Sequence, residues 1–202
     1  MIYTLQLPKP SDQLIKLIKF IALNRPINIE SKKWHDDLQD NKINCGAGDF
    51  FSNKIITDFT KKEFQHLFKK EIYPTIGIIH NLNSNNTASY PPHTDRVRTI
   101  SINYYIDLGG DNVSTTFYDK QDPTDDQVGG HVLPYNEVKA QSKYIFDTNT
   151  WYLLNSRKFH SVENIKTSRI VFGISFLNTS IEEFFEMLGG ECGIRTHAPI
   201  TG

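Results

Sequence analysis

Three side chains in this chain could act together on one metal ion. They are His93 and Asp95 in YPPHTDRVRTISINYYIDL (90–108), and His160 in FHSVENI. In extended backbone, positions two apart leave on the same face, so an imidazole and a carboxylate at 93 and 95 can reach one metal ion. A third donor has to come from a distant segment, and His160 suits the role. Two imidazoles and one carboxylate with coordination positions left open form the donor set of a non-haem ferrous centre. The HxD triplet alone is weak, because His35-Asp36-Asp37 repeats it within KKWHDDLQDN. That copy lies in a polar stretch with no strand to align its side chains and reads as a solvated turn. The copy at 93 runs straight into a strand pattern and is followed 67 residues later by a histidine flanked by strand patterns.

Arg169, in SRIVFGISF, is the fourth residue of interest. An unpaired charge on an apolar strand is costly, so this guanidinium calls for an anion. Asn103 and Tyr105 share the parity of His93 and Asp95 if the pleat is unbroken, which would turn them toward the same cavity. Tyr90 opens the stretch and is a further candidate. Arg96, Arg98 and Arg157 are other nearby cations, read first as surface charges. His80 ends a strand pattern and reads as a partly buried strand histidine. His131, after two glycines, reads as part of a mobile loop.

The elements that must position these groups follow from periodicity. Residues 12–23 carry Leu14, Ile15, Leu17, Ile18 and Ile21 at helical spacing, with Ser11 as N-cap and Pro26 beyond the end. Residues 31–53 read as polar and turn-rich. Thr60-Lys61-Lys62-Glu63 fits a capping box that would open a second helix through about Lys70. After Pro74 the pattern becomes β: strands at 75–82, 98–108, 114–119, 143–147, 150–154 and 169–177, with loops at 83–92 and 120–142. Ser180 would cap a short last helix through Leu188. Helices followed by short strands predict a mainly β chain with flanking helices, closed as a jelly roll.

Composition narrows the classes. The 202 residues carry 22 Lys and Arg against 23 Asp and Glu, a formal net charge of −1, which disfavours a general nucleic-acid or membrane-surface binder. LIKLIKFIAL is broken by Lys16 and Lys19 and is too short to span a bilayer, and MIYTLQLPKP lacks the features of a secretory signal. Cys45 and Cys192 form no disulfide framework or zinc motif, so a reducing cytoplasm is the expected location. One domain is expected over 1–188, with helical support to about residue 72 and a β core over about 73–178. The final stretch, GGECGIRTHAPITG (189–202), resembles a transfer-RNA gene translated past a missing stop codon and reads as a non-native or disordered tail.

From about Tyr90 to Phe176 the chain resembles the double-stranded β-helix (cupin-like) core of the Fe(II)/2-oxoglutarate-dependent oxygenases, prolyl-hydroxylase-like members among them. The matching residues are His93-Thr94-Asp95, Asn155 and His160 in NSRKFHSVENI, and Arg169, nine positions after His160. The resemblance implies that His93, Asp95 and His160 hold Fe(II) and that Arg169 pairs with the far carboxylate of 2-oxoglutarate. It also implies dioxygen as oxidant and hydroxylation of a C–H bond, with release of succinate and CO2. The family often carries Ser or Thr two positions after the arginine, where this chain has Val171. Tyr90, Asn103 or Tyr105 would then complete co-substrate binding. The substrate is expected to be a small molecule, an amino acid or a peptide or protein side chain, and less readily a nucleic acid. Two rivals use the same residues: a cupin-like metal-dependent isomerase or hydrolase, and a non-catalytic jelly-roll binding module. Neither gives Arg169 a role.

Overall fold

A computed structural model describes residues 2–95, 100–120, 131–177 and 179–188, together with the backbone of 194–197. The N-terminal third consists of β1 (Ile2–Leu5), α1 (Asp12–Leu23), α2 (Ile29–Leu38), β2 (Ala47–Phe51) and α3 (Lys54–Phe64). Eight strands follow: β3 (Tyr73–His80), β4 (Ala88–His93), β5 (Ile100–Asp107), β6 (Ser114–Tyr118), β7 (Ala140–Ile145), β8 (Trp151–Asn155), β9 (His160–Ile165) and β10 (Ser168–Ser175). The chain ends with α4 (Ile181–Met187) and β11 (Ile194–His197).

The strands pair antiparallel in two sheets, ordered β11-β1-β8-β5-β10-β3-β2 and β4-β9-β6-β7. From β3 onward the chain crosses between the sheets at nearly every step. This winding makes the expected jelly roll, a double-stranded β-helix. Side-chain alternation then decides what each face does. On β10, Ile170, Phe172 and Ile174 join the main core, and on β5 Ile100, Ile102 and Tyr104 do the same. Leu14 and Ile18 of α1, Ile56 and Phe64 of α3 and Phe184 of α4 cover that face. The odd-numbered residues of both strands turn inward, between the sheets. No helix among the described residues is long and apolar enough to cross a membrane.

Several local expectations are corrected. Ser11 caps α1 as expected, its Oγ accepting from the N–H of Leu14. The box at 60–63 does not open a helix: α3 begins at Lys54, where Asn53 Oδ1 accepts from the N–H groups of Ile55 and Ile56. Thr60 is buried in mid-helix, and Glu63 accepts from Ser11, tying α3 to the start of α1. α3 ends at Phe64 rather than continuing to Lys70, followed by a single 3-10 turn. Residues 31–53, read as turns, hold most of α2 and all of β2. The loop expected over 83–92 contains most of β4, which tolerates Pro91 and Pro92 because it lies at a sheet edge, where missing N–H donors cost least. Loop 120–142 includes a 3-10 turn at Tyr135–Glu137 and the start of β7, while 121–130 lie outside the described residues, as do Arg96 and Arg98. Ser180 and Glu183 form the expected capping box of α4. In the C-terminal stretch, the backbone of β11 pairs with β1.

Candidate metal and co-substrate site

His93 ends β4 and His160 begins β9, and the two are directly opposite in the antiparallel ladder. Their ring centroids lie 4.3 Å apart, tilted by 48°. Each Nδ1 sits against a main-chain carbonyl two residues earlier: Pro91 O at 2.9 Å for His93, and Lys158 O at 2.8 Å for His160. A carbonyl can only accept, so Nδ1 carries the proton and Nε2 keeps the lone pair that a metal needs. Asp95 follows the strand end, its backbone N–H donating to Ser156 O at 2.9 Å in the β8–β9 connection. Thr94 N donates to His131 O at 2.9 Å and Thr94 Oγ1 accepts from His131 N at 3.2 Å, so the segment is held from both sides.

One donor atom from each of His93, Asp95 and His160 lies within 4.8 Å of the others. Three such donors can close on one ion at roughly 2.0–2.2 Å each. Burial, reinforced by the neighbouring His160, pushes the pKa of His93 down to about 3, so its imidazole is neutral and ready to ligate. The donor set, two imidazole nitrogens and a carboxylate, fits ferrous iron or manganese.

Arg169 faces the same interior from the opposite sheet and is 4% exposed. Its guanidinium carbon stands 4.8 Å from the Tyr105 ring centroid, and Nη2 reaches Thr115 Oγ1 at 3.5 Å. Nη1 is buried with no hydrogen-bond partner. No ion pair to Arg169 occurs among the described residues, and burial lowers its pKa from the usual guanidinium value. Asn103 and Tyr105 line the pocket with the triad and Arg169. The expected reason was an unbroken pleat from 93 to 105. The actual one is that β4 and β5 lie in different sheets and face each other across the roll. Asn103 Oδ1 accepts from Ser101 Oγ at 2.6 Å.

Tyr90 lies elsewhere than Asn103 and Tyr105. Its ring meets His93 edge-on at 4.8 Å and lines a neighbouring groove rather than the Arg169 pocket. Val171 lines the pocket where the resemblance would put a hydroxyl, and Thr115 on β6 supplies one instead. Thr115 was missed, although STTFY alternation puts it in register with Phe117 on the inner face. Asn155 shapes the turn before His160, its Oδ1 accepting from Arg157 N. His80 is half-buried, with Nδ1 2.8 Å from Ser168 Oγ, as a strand histidine should be.

The second HxD copy is corrected outright. His35 lies on α2, is 2% exposed, and burial pushes its pKa down to about 4. Asp36 is structural: Oδ1 accepts from Cys45 N–H at 2.9 Å, and Oδ2 pairs with Lys32. His35 meets Tyr90 edge-on at 4.9 Å and lines the groove of about 570 Å3 that opens beside His93 and Asp95.

No protein-family model matches the chain, and no curated protein matches it in sequence. Solved structures do. A viral collagen prolyl hydroxylase from Paramecium bursaria Chlorella virus-1, in its 2OG complex, shares 10% identity over 88% of this chain and 96% of that one, with a TM-score of 0.43. A Pseudomonas putida prolyl-4-hydroxylase shares 10% over 88% and 93%, with a TM-score of 0.39. A 2OG-Fe(II) oxygenase family oxidoreductase from Burkholderia pseudomallei shares 11% over 63% and 54%, with a TM-score of 0.34. In structure, then, the chain is similar to 2OG-Fe(II) oxygenases, prolyl hydroxylases included, at low identity.

Proposed function

We propose that this chain is an Fe(II)- and 2-oxoglutarate-dependent dioxygenase that hydroxylates its substrate. The observation that carries the reading is Arg169, a buried guanidinium whose Nη1 has no partner, facing the same interior as three converging metal donors. A buried cation costs several kcal/mol unless something pairs with it, and a planar two-pronged donor suits a carboxylate. His93, Asp95 and His160 would hold the metal, and Arg169 with Thr115 would hold the far carboxylate of 2-oxoglutarate. When bound, ferrous iron supplies the dioxygen chemistry that couples oxidation of a substrate C–H bond to decarboxylation of 2-oxoglutarate into succinate and CO2.

The chain's own residues supply orientation and a dry wall. The carbonyls of Pro91 and Lys158 hold both imidazoles in one tautomer. Leu154, Val162, Val171 and Ile79 form the apolar part of the wall of the Arg169 pocket.

Thermal melting of anaerobic protein with Mn(II), with and without 2-oxoglutarate, tests the reading. Co-substrate at about a hundred times its dissociation constant should add about 2.7 kcal/mol of stability. A metal response with no co-substrate response would favour an isomerase or hydrolase on the same ligands. No response to either would point to a binding module.

A further inference from the structure

The site has two compartments that meet at His93 and Asp95, and their chemistry differs. One holds Arg169. The other is the groove beside Tyr90, bounded by α2, the end of β2 and the segment after β10. Its aromatic wall is continuous. Trp34 lies 5.0 Å from His35, His35 meets Tyr90 edge-on, and Tyr90 meets Phe50 edge-on at 6.4 Å. Trp34 is 52% exposed, and Phe50, Tyr73 and Leu177 are partly open at the rim. Large rings left open to water beside a reaction centre are surface waiting to be covered.

Charge narrows what covers it. Among the described residues the groove is lined by no Lys or Arg. A guanidinium against its wall, Arg25, stacks 3.9 Å over Phe51 and is paired with Asp49. His35 is neutral at pH 7 because burial holds its pKa near 4. The lining carboxylate, Asp95, belongs to the metal set. Hydroxyls of Ser31, Ser52 and Thr75 complete the lining. Among the described lining residues an anion entering here would lose water and find no cation, and an ammonium would find no carboxylate besides Asp95. The volume of about 570 Å3 is that of a small-molecule cleft, which typically spans about 300–1,000 Å3.

We infer that this groove takes a small, uncharged substrate with an aromatic body, and that the Trp34–His35–Tyr90 wall selects it. The inference rests on the proposed oxygenase reading, because it assigns the second compartment to the molecule being oxidised.

Equilibrium dialysis of the full chain, with Mn(II) and 2-oxoglutarate present, against phenylacetamide, phenylacetate and phenethylamine separates ring from charge. The neutral probe should bind about tenfold more tightly than either charged one, and Trp34→Ala should weaken it at least about fivefold. The same variant should leave the stabilisation by 2-oxoglutarate unchanged, since Trp34 lies outside the Arg169 pocket. Ser31→Arg should bring phenylacetate into the groove. Equal binding of the three probes, tightest binding of phenylacetate, or no binding of any would overturn the inference. So would an end-blocked tripeptide with central phenylalanine that binds about tenfold better than phenylacetamide, because the groove would then be a polypeptide site. Loss of the 2-oxoglutarate response with the neutral preference intact would sink the oxygenase reading and leave the groove's selectivity standing.

Discussion

Replacing Arg169 by Met separates folding from function at one residue. The guanidinium is buried, with Nη1 unpartnered, Nη2 against Thr115 and the Tyr105 ring below it. An unpaired buried charge is costly, and replacing buried ionic groups by hydrophobic residues of similar volume is often neutral or stabilising. Arg169→Met should therefore melt no lower than the parent without ligands, yet lose its response to 2-oxoglutarate while keeping its response to Mn(II). A large loss of stability without ligand would mean that the guanidinium has a structural partner and would remove the argument for an anion. His35 gives a pH signature. Its folded pKa, about 4, lies below the value of about 6.5 in the unfolded chain, so between these pH values the unfolded state binds more protons. Its contribution is full above about pH 6.5 and is lost as the pH falls toward 4. Urea unfolding at pH 7.5 and 4.5 should show His35→Phe losing less stability on acidification than the parent, by on the order of 2 kcal/mol. At this scale the sequence displays the residue types of the candidate site, two imidazoles, a carboxylate and an arginine, which line one pocket. It was misleading at His35, because burial depends on what packs over a side chain.

At the scale of elements, backbone proximity governs the site. Gly48 on β2 lies under the Tyr90 ring, and a Cβ there would fall inside it. The ring is clamped between His35 and His93, so it has little room to retreat. Gly48→Ala should cost about 1–3 kcal/mol by overpacking. By pressing Tyr90 onto His93 it should also weaken Mn(II) binding about tenfold, the lower end for a disturbed supporting shell. Unchanged metal affinity in titration calorimetry would show that Tyr90 does not position the ligand. Regular periodicity made α1, β3, β5, β6, β8 and β10 readable in advance, though it missed β1 and β9, both of which lie inside their sheets. β2 and β4 were not readable either, because AGDFF carries glycine and an acid, and ASYPPH two prolines. Both run along sheet edges, where partner strands rather than propensity hold the chain extended. The start of α3 was misplaced for a related reason: Thr60 and Glu63 have the spacing of a box, but Asn53 had already satisfied the free N–H groups upstream.

At the scale of the molecule, the candidate metal donors belong to β4, its exit and β9 in the four-stranded sheet, while Arg169 belongs to β10 in the seven-stranded sheet. A co-substrate held at both ends would bridge the two layers of the roll. The stabilisation by 2-oxoglutarate with Mn(II) should then vanish in His160→Ala and in Arg169→Met alike, and the double variant should lose no more than either single one. Such strong non-additivity marks groups acting on one ligand. Independent, additive losses in melting experiments would place the two residues in separate sites.

Read on its own, the sequence settles which atoms are available: the spacing of His93 and Asp95, the distant His160, and a charge on an otherwise apolar strand. Residue type and alternation are local properties, and a linear chain displays them. Which of two HxD triplets meets a second histidine, that Thr115 is the hydroxyl beside Arg169, and that Tyr90 turns to a second compartment are matters of the folded roll. Each depends on contacts between β4, β5, β6, β9 and α2, strands and a helix far apart in the chain, and no local pattern encodes the distance at which they meet.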